Sequence, residues 1–278
     1  MGSIIAPPLI AMNWVAIGRE MTFVLLGALG LLWVIPWLIF NKALPNKHPW
    51  ITTEERELIR SGMQPQQASR AQEGLSMVQI LSHRAPWAVL ISRFFIEPIW
   101  WLFVGWMPIY LADVYGFNVK EIGFFAWVPY VGAAVGSLTG GYFSGQIIIR
   151  GGSVDHARKR TILIGCIIMF LGLVATILFG NTPERFVLIV AGVLFGFQFI
   201  ISNIQTIPSD LLSGKSVGSL AGLGGTVGIF SVILMNFLVP VITEHYSYTP
   251  IFIMIAVFVP LGYLSIRFFA KEIKPIDQ

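Results

Sequence analysis

Apolar and polar positions alternate along this chain on a long wavelength. Runs of mostly apolar residues near 1–17, 21–40, 86–111, 121–147, 160–180, 186–207, 217–240 and 249–269 are separated by charged or Gly/Pro-rich breaks. A helix needs about 20 such residues to cross roughly 30 Å of hydrocarbon. A membrane β-strand needs only about ten, with alternating polarity. Most of these runs are twice that length and apolar all round, so the pattern predicts about eight transmembrane α-helices. The first is short and carries Pro7, Pro8 and Asn13.

One stretch departs from this rhythm. Residues 41–84 are largely polar, and within them Thr52 followed by Glu55 is a capping box. Glu54, Glu55 and Glu57 favour the positive end of a helix dipole, and Gly62 is a stop signal. The spacing predicts a short surface helix over 53–61, a flexible polar stretch from Gln64 to Gly74, and a second short helix near 75–83. The segment has too few apolar residues for a core of its own. It reads as a linker (41–84) between two helices (1–40) and a six-helix unit (85–278).

Composition agrees. Of 278 residues, 55% are hydrophobic and 12% charged, and the mean hydropathy is +0.76. A soluble domain carries about 25% charged residues. The length holds eight spans with loops and not twelve. The isoelectric point near 9.3 raises nucleic acid as a partner, but no stretch combines dense Lys/Arg with aromatics as phosphate binding requires. The basic residues instead sort by side. If 41–84 is cytoplasmic, that side takes Lys42, Lys47, Arg56, Arg60, Arg70, Arg84, Arg150, Arg158, Lys159, Arg160, Lys215, Arg267, Lys271 and Lys274, against Arg19, Lys120 and Arg185 opposite. The bias places both ends in the cytoplasm. Cys166 is the one cysteine and the four histidines are scattered, so neither an intrachain disulfide nor a metal site is expected.

Small residues recur at helical spacing: Gly132, Gly136 and Gly140; Gly192 and Gly196; Gly218, Gly222, Gly225 and Gly228. Such stripes let helix backbones approach in a membrane, and two uses stay open, static packing or sliding during a conformational cycle.

The most specific stretch runs from Gly140-Gly141 through Arg150 to Arg158-Lys159-Arg160. It resembles the cytoplasmic loop between the second and third helices of a six-helix half in the major facilitator superfamily. Gly145 stands where that pattern often has an Asp after the Ser. Ile96-Glu97-Pro98-Ile99-Trp100-Trp101 and Trp106-Met107-Pro108 are similar to the seventh helix of its anion:cation symporter family, and Trp127-Val128-Pro129-Tyr130 continues the likeness; Ser202 to Asp210 resembles the end of that family's tenth helix, and Val217 to Gly225 and Tyr248 to Phe252 its eleventh helix and the entry to its twelfth. His48-Pro49-Trp50-Ile51 resembles that family's central loop. Within it the likeness is to hexuronate and related sugar-acid transporters.

The resemblance implies an all-α membrane protein with part of a major facilitator fold, equivalent to helices 5–12. It implies symport of a small organic anion with a proton or sodium ion, no catalysis, no other cofactor, and residence in a bacterial inner membrane. The first ten residues look like the middle of a fifth helix. Four earlier helices, which in the family hold the substrate arginine and the protonated carboxylates, are expected to lie in a missing N-terminal half. Other anions (galactonate, glucarate, another carboxylate, phosphate) and a non-transporting remnant are the alternatives.

Candidate site residues follow from polar chemistry inside apolar runs. Arg93 and Glu97 are four apart and can pair. Intramembrane charge marks function by default, so they are candidates for gating or coupling, against a plain structural pair. Gln198, Ser202 and Gln205 form one stripe with Asn203 one step off it. Their amides and hydroxyl suit sugar hydroxyls or interhelical bonds. Trp100, Trp101 and Tyr130 can stack on a sugar face or simply pack. Asn236 reads as an interhelical bond and Asp210 as an anchor at a helix end.

Overall fold

The computed structural model describes residues 2–41, 48–62 and 74–276. Among them every regular element is a helix: α1 (Gly2–Phe40), α2 (Thr53–Gly62), α3 (Met77–Ser82), α4 (Ala85–Tyr115), α5 (Val119–Phe125), α6 (Val128–Ile149), α7 (Val154–Phe179), α8 (Pro183–Ile204), α9 (Ile207–Leu211), α10 (Lys215–His245) and α11 (Thr249–Phe269). The stretch expected to be flexible, Gln64 to Gly74, lies outside the described residues except for Gly74.

Among the described residues seven segments, not eight, are long and apolar enough to cross a membrane. The difference lies at the start. There two helical stretches, over the runs at 1–17 and 21–40, meet at Gly18, whose φ 80° and ψ 170° are not helical, and together they form the one segment Ile4–Phe40. Only Arg19 and Glu20 intervene before apolar sequence resumes, too few residues for a loop. A glycine without a Cβ absorbs the break as a kink. Two other spans split where proline enters. Val119–Ile149 breaks at Ala126 and Trp127 before Pro129, and Pro183–Leu211 at Gln205 and Thr206 before Pro208. Proline cannot donate to the preceding turn but suits the first turn of a new helix.

The short helices rest on the expected local chemistry. Glu55 N–H donates to Thr52 Oγ1 at 3.2 Å while Thr52 N–H donates to Glu55 Oε2 at 3.0 Å. Ser76 and Gln79 form the same reciprocal cap at the start of α3. The linker's end is pinned to the bundle, where Leu75 N–H donates to the buried Ser216 Oγ of α10 at 2.7 Å.

Helix α8 is the centre of the bundle. On one side a Cβ at Gly132, Gly136 or Gly140 of α6 would collide with the carbonyl oxygens of Ala191, Phe195 and Phe199 in turn. On the other side, a Cβ at Gly196 would lie 2.8–2.9 Å from Met169 N and Gly165 O of α7. Three helix backbones therefore meet without side chains between them, the close packing that small residues permit where lipid gives no hydrophobic drive. Gly192, the other member of the predicted pair, faces open space. Helix α4 packs between α10 and α11, and a core including Ile96, Phe103, Leu111, Ile200 and Ile255 runs through the bundle. Helix α1 meets the bundle mainly through α5 and less through α6, and a Cβ on Gly123 of α5 would collide with Ala11. Beyond Gly18, side chains such as Phe23, Leu31 and Trp33 are exposed.

Candidate functional site

Three polar or aromatic centres lie inside the bundle. The first is at the end of α6 and α8 that meets the loop 150–153. Arg158 Nε donates to Asp210 Oδ2 at 2.9 Å, and its Nη1 donates to Ser144 Oγ at 3.2 Å and to Asn203 Oδ1 at 3.1 Å. Asn203 Nδ2 donates in turn to the carbonyls of Gly140 and Phe199, at 3.3 and 3.2 Å. Four helices, α6, α7, α8 and α9, are thus tied through one guanidinium. Its charge is met by a carboxylate and its planar fork by two further acceptors.

This arrangement reassigns Asn203. The residue is 1% exposed and both amide hydrogens are taken, so it positions Arg158 and is not free to bind sugar hydroxyls. Lys159, beside it, donates to Lys271 O at 2.7 Å and pairs with Asp155. Asp155 also accepts from Ile273 N–H at 2.8 Å, so the tail after α11 is strapped to the start of α7. Of the other residues in the predicted loop motif, Arg150 and Arg160 are exposed and Gly141 meets nothing. Gly151 adopts φ +87°, and a Cβ at Gly152 would crowd Ile147, so this Gly-Gly pair is required by the turn.

The second centre is aromatic. Trp100 of α4 stacks on Phe197 of α8 with centroids 5.3 Å apart and meets Tyr130 of α6 edge-on at 6.1 Å. Edge and stacked pairs of this kind add about 0.5–1.5 kcal/mol each beyond area burial. Phe197 had no polar signature to single it out in the sequence. Gln198, the next residue, is half-buried, and Ser202 Oγ donates back to Gln198 O at 3.3 Å. Trp101 and Gln205 are exposed and join neither centre. Nearer the far end of α4, Trp106 Nε1 donates to Asn236 Oδ1 at 2.9 Å, the interhelical bond expected of Asn236.

The third centre is Arg93 with Glu97, on the face of α4 that meets α10. Arg93 Nη2 lies 3.3 Å from Glu97 Oε1, and their side chains are 13% and 12% exposed. Arg93 Nη1 reaches Ala221 O at 3.5 Å. Arg93 Nε and Glu97 Oε2 are buried with no partner among the described residues. Opposite them α10 presents glycine. A Cβ on Gly224 would lie 3.3 Å from Arg93 Cδ, one on Gly225 3.5 Å from Arg93 Nη1, and one on Gly228 3.3 Å from Glu97 Cβ. The two centres around Trp100 and Arg93 share α4, within two turns of each other.

Comparison with known proteins places this architecture. The chain is 33% identical over 269 residues to the hexuronate transporter of Escherichia coli K12, covering 96% of this chain and 61% of that protein. It is 36% identical over 177 residues to the galacturonate transporter of Dickeya chrysanthemi, covering 61% of this chain and 49% of that protein. To the probable galactarate/D-glucarate transporter GarP of Escherichia coli K12 it is 29% identical, over 81% of this chain and 50% of that one. It thus spans about half to three fifths of the curated relatives it matches. The family model described as Major Facilitator Superfamily matches residues 1–228. With seven segments among the described residues long and apolar enough to cross a membrane, and a family match over most of its length, the chain belongs to the major facilitator superfamily.

Proposed function

We propose that this chain serves secondary transport of a small organic anion, a hexuronate or related sugar acid. The observation that carries the reading is its identity to a hexuronate transporter along 96% of its own length. Galacturonate and galactarate/glucarate transporters among the relatives fit one ligand chemistry, a carboxylate on a polyhydroxylated chain. The expected cycle couples the anion to a proton or sodium ion and exposes the site alternately to the two sides. No bond is made or broken.

In this reading 1–40 belongs to one helical half, 41–84 is the cytoplasmic linker and 85–278 is the other half. The excess of Lys and Arg on one side supports a cytoplasmic linker and C-terminus, in a bacterial inner membrane. The Trp100–Tyr130–Phe197 node with Gln198 offers aromatic area and an amide beside the charged pair on α4. Aromatic faces suit the C–H face of a sugar ring and the amide its hydroxyls.

The test is binding by the detergent-purified chain, read by calorimetry. D-glucuronate is expected to bind at least tenfold more tightly than neutral D-glucose, and Trp100→Ala to weaken it about tenfold. Equal affinity for glucuronate and glucose overturns the reading.

A further inference from the structure

The last turn of α11 and the residue before α4 meet at the end of the bundle that carries Arg158. There the Arg84 guanidinium lies over the Phe268 ring, 4.3 Å from its centroid, and 5.8 Å from that of Phe269. Arg267 is the chain neighbour of Phe268, and both arginines are exposed. Neither makes an ion pair among the described residues. The next carboxylate along the chain, Glu272, is held by Lys274 at 2.9 Å. Two cations are thus grouped around one exposed ring, with no described carboxylate to neutralise them.

An apolar surface leads up to them. Ile253, Val257, Leu261, Leu264 and Phe268 of α11 are exposed, whereas Ile255, Val259 and Ile266 are buried. The spacing of three and four keeps the exposed set on one stripe of the helix. Toward its arginine end the stripe becomes an open groove of about 590 Å³, lined by Leu261, Leu264, Ser265, Arg267, Phe268 and Phe269. Trp87, one turn after Arg84, is also exposed, and its Nε1 donates to Leu81 O at 3.0 Å. Tryptophan with an apolar body and a satisfied polar tip is typical of a membrane interface. Both arginines stand where a span ends, Arg84 directly before Ala85–Tyr115 and Arg267 in the last turn of Thr249–Phe269.

We propose that this corner is a binding site for one anionic phospholipid of the leaflet that meets the linker. Arg84 and Arg267 take the phosphodiester, and an acyl chain lies along Leu264 and Leu261. Phe268 serves both parts: its face holds the Arg84 guanidinium, and the ring extends the apolar stripe. The planar fork of a guanidinium matches phosphate oxygens, and each basic side chain near a membrane surface adds attraction for anionic lipid. A zwitterionic headgroup brings its own ammonium to the same place, where two unneutralised arginines disfavour it. Free phosphate finds the charges and gains nothing from the stripe. The inference is independent of which anion the chain transports.

The test is native mass spectrometry of the detergent-purified chain with phosphatidylglycerol and phosphatidylcholine of the same acyl chains, reading the affinity for the first lipid bound. Wild type is expected to prefer phosphatidylglycerol about tenfold, on the strength of two cations at the membrane surface. Arg84→Gln with Arg267→Gln should bring that preference below about twofold. Phe268→Leu keeps both charges and an apolar side chain, and should weaken phosphatidylglycerol about threefold by releasing Arg84. Arg160→Gln with Lys215→Gln removes two exposed cations from the same end of the bundle and should leave the preference unchanged. No preference in wild type, a preference that survives loss of Arg84 and Arg267, full affinity in Phe268→Leu, or an equal loss in the Arg160 and Lys215 variant overturns the inference. Displacement of the lipid by millimolar inorganic phosphate overturns it too, since the corner would then be a site for a free anion.

Discussion

Two arginines lie beside carboxylates within one bundle, and their surroundings differ. Arg158 meets three acceptors from three helices, each at 2.9–3.2 Å. Arg93 meets one carboxylate oxygen at 3.3 Å and one carbonyl at 3.5 Å, with Nε buried and unpartnered among the described residues. The glycines around them differ in the same sense. Those of α6 press directly on the carbonyls of α8, whereas Gly224 and Gly228 of α10 press on side chains of α4, and Gly218 and Gly222 meet nothing. A saturated charge with backbone-to-backbone packing resists change, because any movement strands several buried groups at once. A half-satisfied charge against a smooth helix has less to lose. The same two ingredients, an ion pair and a glycine stripe, thus build a fastener in one place and a sparser contact in another.

The sharpest way to break this comparison is to remove each arginine's partners in turn and follow thermal unfolding in detergent. Arg158→Ala strands Asp210, Asn203 and Ser144 and is expected to cost about 3–5 kcal/mol, the range for an uncompensated buried charge. Arg158→Lys should recover only part of it, since an ammonium lacks the planar fork. Gly136→Ala comes next. Its Cβ would strike the Phe195 carbonyl, backbone that cannot move aside, and about 1–3 kcal/mol is expected. Arg93→Met together with Glu97→Leu strands no charge and removes just one ion pair at 3.3 Å, so a cost of only about 1 kcal/mol is expected. A loss as large as that of Arg158→Ala would erase the distinction. Smallest of all, Gly222→Ala meets nothing within 4 Å and should stay within about 0.5 kcal/mol of wild type.

Much of the architecture was legible in the chain. The span positions, the capping box at Thr52/Glu55 and the stripe Gly132/Gly136/Gly140 are short-range features, fixed by residues within a few turns of each other. The site was legible only in part. Arg93 with Glu97 is an i,i+4 pair and could be read directly. Asn203 and Asp210 lie 45 and 52 residues from Arg158, and nothing local ties Asn203 to an arginine. It carried the same signature as Gln198, an amide in an apolar helix, and burial separated their roles. Phe197 is one apolar residue among many until Trp100 lies on it. The first two spans were separable by hydropathy, but whether Gly18 makes a loop or a kink is decided by how soon the helix resumes after it.

The sequence by itself determined that this is a helical membrane protein, and its motifs carry the resemblance to the major facilitator superfamily. Transfer of apolar residues to lipid is a sum over each run, and backbone satisfaction within the bilayer then leaves the helix as the form for runs of this length. The tertiary structure decided which charges are saturated and which are not. Hydrogen-bond partners come from helices far apart in the chain, and desolvation depends on what packs around a group. Only the fold, therefore, could make Arg158 a fixed hub and leave Arg93 with donors to spare.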